Sequence, residues 1–127
     1  MQTITPIARQ TTRVTIVSAS AQRYFYIAQR ATAALLAPLV IVHLLLIFIA
    51  VKDGLTAEEI LSRTRGSTLW AAFYGVFVIA ASIHAPLGLR NVLREWTPLN
   101  ARVVDGCCIL AFLILLLAGL RAVVAVY

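Results

Sequence analysis

The chain has 127 residues, 61% of them hydrophobic and only 13% charged, with a mean hydropathy of +0.92. So short a chain has too much surface per volume to hide that much apolar side chain from water; a water-soluble domain is excluded, and lipid is the solvent that fits. The net charge of +6 comes from basic residues that are all arginine except Lys52. They fall at segment ends and form no stripe, which is the pattern of a topology signal with contacts to anionic lipid and speaks against nucleic acid as a partner.

In chain order, residues 1–22 form a polar, basic arm without acids. It resembles a transit peptide in composition, but no short apolar core with a cleavage site follows, so it reads as a retained surface arm. Residues 23–127 read as one domain of transmembrane helices. The first span covers about residues 24–51, of which about 21 from Ala31 onward carry no charge, enough to cross a hydrocarbon core of about 30 Å. Lys52, Asp53 and Gly54 end it, and the LTAEEILSR segment of the following loop predicts a short amphipathic surface helix. The second span covers about residues 67–93, with Trp70, Tyr74 and Trp96 where headgroup-level aromatics belong. The third covers about residues 106–125, where Arg121 can snorkel. Cys107 and Cys108 are adjacent in an apolar helix and point in different directions, so they read as packing residues and not as a disulfide. Glu95 and Asp105 read as loop residues.

Orientation follows from the arginines. Arg9, Arg13, Arg23 and Arg30 precede the apolar run of span one, and Arg90, Arg94 and Arg102 flank the second loop, whereas the charges of the first loop cancel. The positive-inside rule then places the N-terminus and the second loop on the cytoplasmic (or matrix) side.

Ionisable residues at depth in a span usually face a bundle interior, so each is a functional candidate. Counting from Arg90, His84 lies about 9 Å inside the inner boundary. A neutral imidazole there needs a partner; haem iron is one, and a hydrogen bond in a packed core is the other. Pro86 and Gly88 follow it; the glycine lets a macrocycle or a helix approach closely. His43 lies about 20 Å deep, about 10 Å from the level of His84. Two axial nitrogens on one iron would sit about 4 Å apart, so the histidines do not share a haem. His43 is either a ligand of a second, outer haem completed by another chain or a structural histidine. Arg30, just inside the inner boundary, either snorkels or holds a haem propionate or a quinone carbonyl, and Arg90 and Arg94 offer the same choice. No nucleotide loop, hydrolase triad or carboxylate pair is present, so the chain is not a self-contained enzyme.

Two stretches resemble the cytochrome b membrane-anchor subunit of succinate dehydrogenases and fumarate reductases. The first span of that family opens with H-R-x-[ST]-G, for which this chain has Gln29, Arg30, Thr32 and Ala33; the second carries H-x-x-x-G-x-R, matched by His84, Gly88 and Arg90, then an acid and an aromatic, Glu95 and Trp96. The resemblance covers about residues 22–125. It implies an all-α membrane protein of three transmembrane helices, N-terminus inside, forming half of a larger bundle with a second small anchor subunit. It also implies a complex in which a flavoprotein handles succinate or fumarate and an iron–sulfur subunit carries electrons to the bilayer. Haem b would lie between the anchors, one or two haems in all, with quinone as the membrane substrate. The complex would sit in a bacterial inner membrane or the mitochondrial inner membrane. By resemblance His84 is an axial haem ligand, the other coming from the partner anchor, and Arg30 stands beside the quinone and the propionates. The family often has a serine four residues before this arginine; here that position is Tyr26, and the role falls to Tyr26, to Thr32, or to neither. Arg90 keeps the choice its placement gives, snorkelling or a propionate contact, and His43 sits where the outer ligand of two-haem members would be needed. Two alternatives stand beside this reading, a haem-free fumarate reductase anchor and an unrelated small membrane protein.

Overall fold

A computed structural model describes residues 19–54 and 56–127. The expected arm therefore lies outside the described residues up to residue 18. Helix α1 spans Ala19–Asp53, α2 Ala57–Thr64, α3 Thr68–Trp96 and α4 Ala101–Val126. Each long apolar run is helical because a helix satisfies its own backbone hydrogen bonds, which lipid cannot do. Three of them, α1, α3 and α4, are long and apolar enough to cross a membrane. At 1.5 Å per residue the shortest of these, α4, is about 39 Å long, more than a hydrocarbon core of about 30 Å requires.

The boundaries follow local signals. Gly54 leaves α1 at φ 96° and Gly66 turns the chain after α2 at φ 70°, both in the left-handed region that glycine enters without strain. The expected amphipathic helix is α2: Thr56 caps it, its Oγ1 accepting from Glu59 N at 3.2 Å, and Glu58 and Glu59 complement the dipole in its first turn. α3 ends before Thr97-Pro98, and Asn100 caps α4 by accepting from Arg102 N at 3.1 Å. Glu95 and Asp105 are therefore helical, not loop residues as the sequence reading has them. The helices continue past the apolar stretch until a capping signal stops them, and charges at helix ends reach the headgroups.

α3 is the central helix, packed against α1 on one flank and α4 on the other. Both neighbours run antiparallel to it: Phe25 meets Arg90 and His43 meets Phe77 across α1 and α3, while Asp105 meets Arg90 and Gly119 meets Val78 across α4 and α3. Small residues set the spacing. A Cβ on Gly119 would lie 2.5 Å from Val78 Cγ1, and one on Gly88 would lie 3.3 Å from Gln29 Nε2. Buried side chains include Ala80, Ser82 and Pro86 on α3, Val104 and Cys108 on α4 and Thr64 on α2, whereas Cys107 is exposed, as expected of helix neighbours. Gly66 N donates to the Tyr127 carbonyl at 2.7 Å, tying the turn after α2 to the end of α4.

Candidate functional site

One end of the bundle gathers the start of α1, the end of α3 and the start of α4. Thr32 on α1 lies inward of that end, and its Oγ1 is 3.1 Å from His84 Nδ1 on α3. The same hydroxyl donates back along its own helix, 2.7 Å from Ala28 O and 3.1 Å from Gln29 O. This is the usual habit of a helical threonine, whose short side chain reaches the preceding turn. His84 thus has Nδ1 engaged by a protein group, and it sits half-buried between the two helices.

Nearly two turns nearer the end, Arg90 is held from two sides. Its guanidinium carbon lies 4.7 Å from the centroid of the Phe25 ring, and its Nε donates to Asp105 Oδ1 at 2.9 Å. Arg94, one helical turn on, donates to the same oxygen at 3.3 Å. Two guanidinium groups on one carboxylate leave an excess positive charge at this end. The Arg90 side chain is only 12% exposed, so Asp105 is its main compensation. Replacing Asp105 with alanine leaves that guanidinium largely buried without its carboxylate. The expected outcome is a loss of about 1–3 kcal/mol in thermal unfolding of the detergent-extracted complex. Removing Arg90 as well should restore part of it, because the orphaned charge is then gone.

Beside this network lies a cavity of about 330 Å³ lined by Phe25, Tyr26, Gln29, Arg90, Asn91 and Arg94 among others. Gln29 Oε1 is buried without a hydrogen-bond partner. Arg30 is exposed; its Nη1 donates to the Tyr26 hydroxyl at 3.1 Å and its guanidinium lies 5.5 Å from that ring's centroid. The arginine therefore reaches the cavity through Tyr26.

His43 is elsewhere. Its ring packs against Phe77 at 5.3 Å and edge-on to Tyr74 at 6.0 Å, and Nδ1 is buried without a partner. It lines a larger, mostly apolar cavity of about 390 Å³ with Trp70, Tyr74, Phe77 and Gly119 toward the opposite end of the bundle. Along α3 the His43 ring is level with Tyr74 to Phe77, seven to ten residues from His84, or about 10–15 Å.

Of the residues singled out in sequence, Tyr26, Thr32, His84 and Arg90 lie together at one end, Arg30 touches Tyr26, and His43 stands apart. Asp105, Phe25 and Gln29 were missed as parts of this site. The spacing of Arg90 and Arg94, one turn apart on one helix face, is the signal that a shared acid should be sought in the next helix. Among the described residues no group of three or more His, Cys, Asp or Glu could hold a metal ion.

The family model described as succinate dehydrogenase/fumarate reductase transmembrane subunit matches residues 1–120. No curated protein and no solved structure matches the chain at a comparable level.

Proposed function

The chain belongs to the family of succinate dehydrogenase/fumarate reductase transmembrane subunits, and from that premise we propose that it is a cytochrome b anchor holding one haem b through His84 and helping to form a quinone site at the same end of the bundle. As a member it is a multi-pass membrane protein and a subunit of a succinate:quinone oxidoreductase complex. The observation that carries the haem assignment is the 3.1 Å contact between His84 Nδ1 and Thr32, which occupies one imidazole nitrogen and leaves Nε2 for iron. The residues present fit a b-type haem, which His84 would hold from this chain while another chain would supply the remaining ligand. When bound, the haem supplies a one-electron relay whose potential is set by its ligands, their hydrogen bonds and burial.

The partners follow from the family and from surface. A flavoprotein and an iron–sulfur subunit dock on the inner face, where the arginine-rich helix ends gather and the positive-inside rule puts the N-terminus. A second small anchor completes a bundle of which these three helices are half. The apolar faces of α1 and α4 are open to it and to lipid, with Phe48 61% and Leu117 66% exposed. The membrane is a bacterial inner membrane or the mitochondrial inner membrane.

For quinone, Tyr26 is the better replacement for the family serine. Its phenol lines the cavity and is held by Arg30, whereas the Thr32 hydroxyl is taken up by α1 carbonyls and His84. Arg30 steadies Tyr26 and lends positive charge, which strengthens hydrogen bonding to a quinone oxygen as negative charge develops there on reduction. Replacing Arg30 with leucine should lower succinate–quinone turnover about 100-fold, measured against succinate–dye turnover of the same preparation, a reaction that bypasses the membrane site. Arg90, ion-paired and stacked on Phe25, reaches a propionate only by sharing with Asp105. His43 serves as a packing histidine among aromatic rings.

The reading is tested on the purified complex by reduced-minus-oxidised spectra and by haem counted per flavin. It expects a b-type α-band and one haem. No α-band would leave only a haem-free anchor, two haems would return His43 to the ligand set, and unchanged succinate–quinone activity after deletion of the chain would sink the reading altogether.

A further inference from the structure

We infer that Thr32 is a positioning residue for the haem: its hydroxyl fixes His84 in the tautomer with the proton on Nδ1, presents the Nε2 lone pair, and lowers the haem potential. The inference rests on His84 being the ligand, and it reassigns Thr32 from the quinone to the imidazole.

The argument is one of proton counting. A threonine hydroxyl has one proton to donate and lone pairs with which to accept. Around Thr32 Oγ1 stand three groups, Ala28 O at 2.7 Å, Gln29 O at 3.1 Å and His84 Nδ1 at 3.1 Å. The two carbonyls can only accept, so the hydroxyl proton goes to them, and the shorter contact is where it sits. Of the three neighbours only the imidazole can donate. Its Nδ1 therefore carries a proton and gives it to Thr32, and in a neutral ring Nε2 is then bare. The opposite tautomer would either set two lone pairs against each other at Nδ1 or draw the hydroxyl proton off the shorter bond to Ala28 O, and in both cases it would put a proton on Nε2, the nitrogen that would hold the iron.

The direction of the bond has an electronic consequence. An imidazole that donates its outer N–H to an oxygen is a more basic ligand, and a more basic ligand favours ferric over ferrous iron. The bond also fixes the ring plane, since Thr32 is anchored to the α1 backbone and cannot follow a rotating imidazole. A partner on a neighbouring helix thus sets both the tautomer and the angle of the ligand.

The test replaces Thr32 in the intact complex and reads the haem itself, by redox titration of the α-band and by electron paramagnetic resonance of the oxidised haem. Thr32→Val keeps the shape and removes the hydroxyl; Thr32→Ala does the same with less bulk if the valine disturbs assembly. Either should shift the haem reduction equilibrium toward ferrous by up to about tenfold, a rise of about 59 mV for a one-electron couple, and broaden the low-spin signal as the ring loses its fixed angle. Thr32→Ser, which retains the hydroxyl, should return both readouts to the wild-type values. Haem present with an unshifted potential in the valine and alanine variants overturns the inference and leaves the ligand assignment standing. A serine variant shifted as far as alanine overturns it too, because the hydroxyl is then irrelevant. A wild-type complex without haem removes the ligand reading and this inference with it.

Discussion

Replacing His84 with alanine is expected to empty the haem site of the complex. The haem-per-flavin ratio should fall below about one-tenth of the wild-type value, since loss of a direct ligand outweighs the roughly 10- to 100-fold effect of losing an outer-shell partner. The protein should tolerate the change. His84 is half-buried at the α1–α3 seam, and its removal leaves no orphaned group, because Thr32 keeps its bond to Ala28 O. The b-type α-band is the readout, and His43→Ala is the companion measurement. If His84 alone serves the haem, the His43 variant retains the full ratio; if His43 serves a second haem, the ratio halves. A full α-band in the His84 variant would refute the ligand assignment.

The second large effect is expected at Gly119. A Cβ there would stand 2.5 and 2.8 Å from the two γ-carbons of Val78 and 3.2 Å from its Cβ. Valine is held to one main rotamer in a helix, so it cannot turn aside, and the backbones of α3 and α4 must separate instead. In a bilayer, where lipid tails are as apolar as the core, such close packing of small residues is a main source of helix association. Gly119→Val should therefore destabilise the complex by about 1–3 kcal/mol, seen as earlier thermal dissociation in detergent. Val78→Ala in the same chain should recover much of that loss, because the two sites are in contact and their effects do not add. A Gly119→Val complex as stable as the wild type would mean that α4 does not hold α3 at this point.

Much of the architecture was legible before any coordinates. Long charge-free stretches bounded by arginine and tryptophan read as spans, and the LTAEEILSR segment reads as the amphipathic helix that is α2. Helix ends were harder. α4 begins at Ala101, ahead of the expected start near residue 106, because Asn100 caps it while the apolar pattern starts later. Pairings between helices were not legible. Thr32 and His84 are 52 residues apart and Arg90 and Asp105 are 15 apart, and both contacts depend on the offset of antiparallel helices, which hydropathy does not encode. Hence Asp105, which reads as a loop residue in sequence, is helical and paired with Arg90. Types and depths could be read from one helix at a time; who meets whom required the register.

The central place of α3 bears on how the protein is made. A nascent chain delivers α1 to the bilayer first, and the face that packs on α3 stays uncovered until α3 follows it. Once α3 is in, Thr32 already faces His84 and Phe25 already covers Arg90, whereas the countercharge for Arg90 is still in the ribosome with the start of α4. The first two spans thus complete the imidazole's surroundings, and the third neutralises the arginine. A chain interrupted after α3 would keep the contact between Thr32 and His84 and carry Arg90 without its carboxylate.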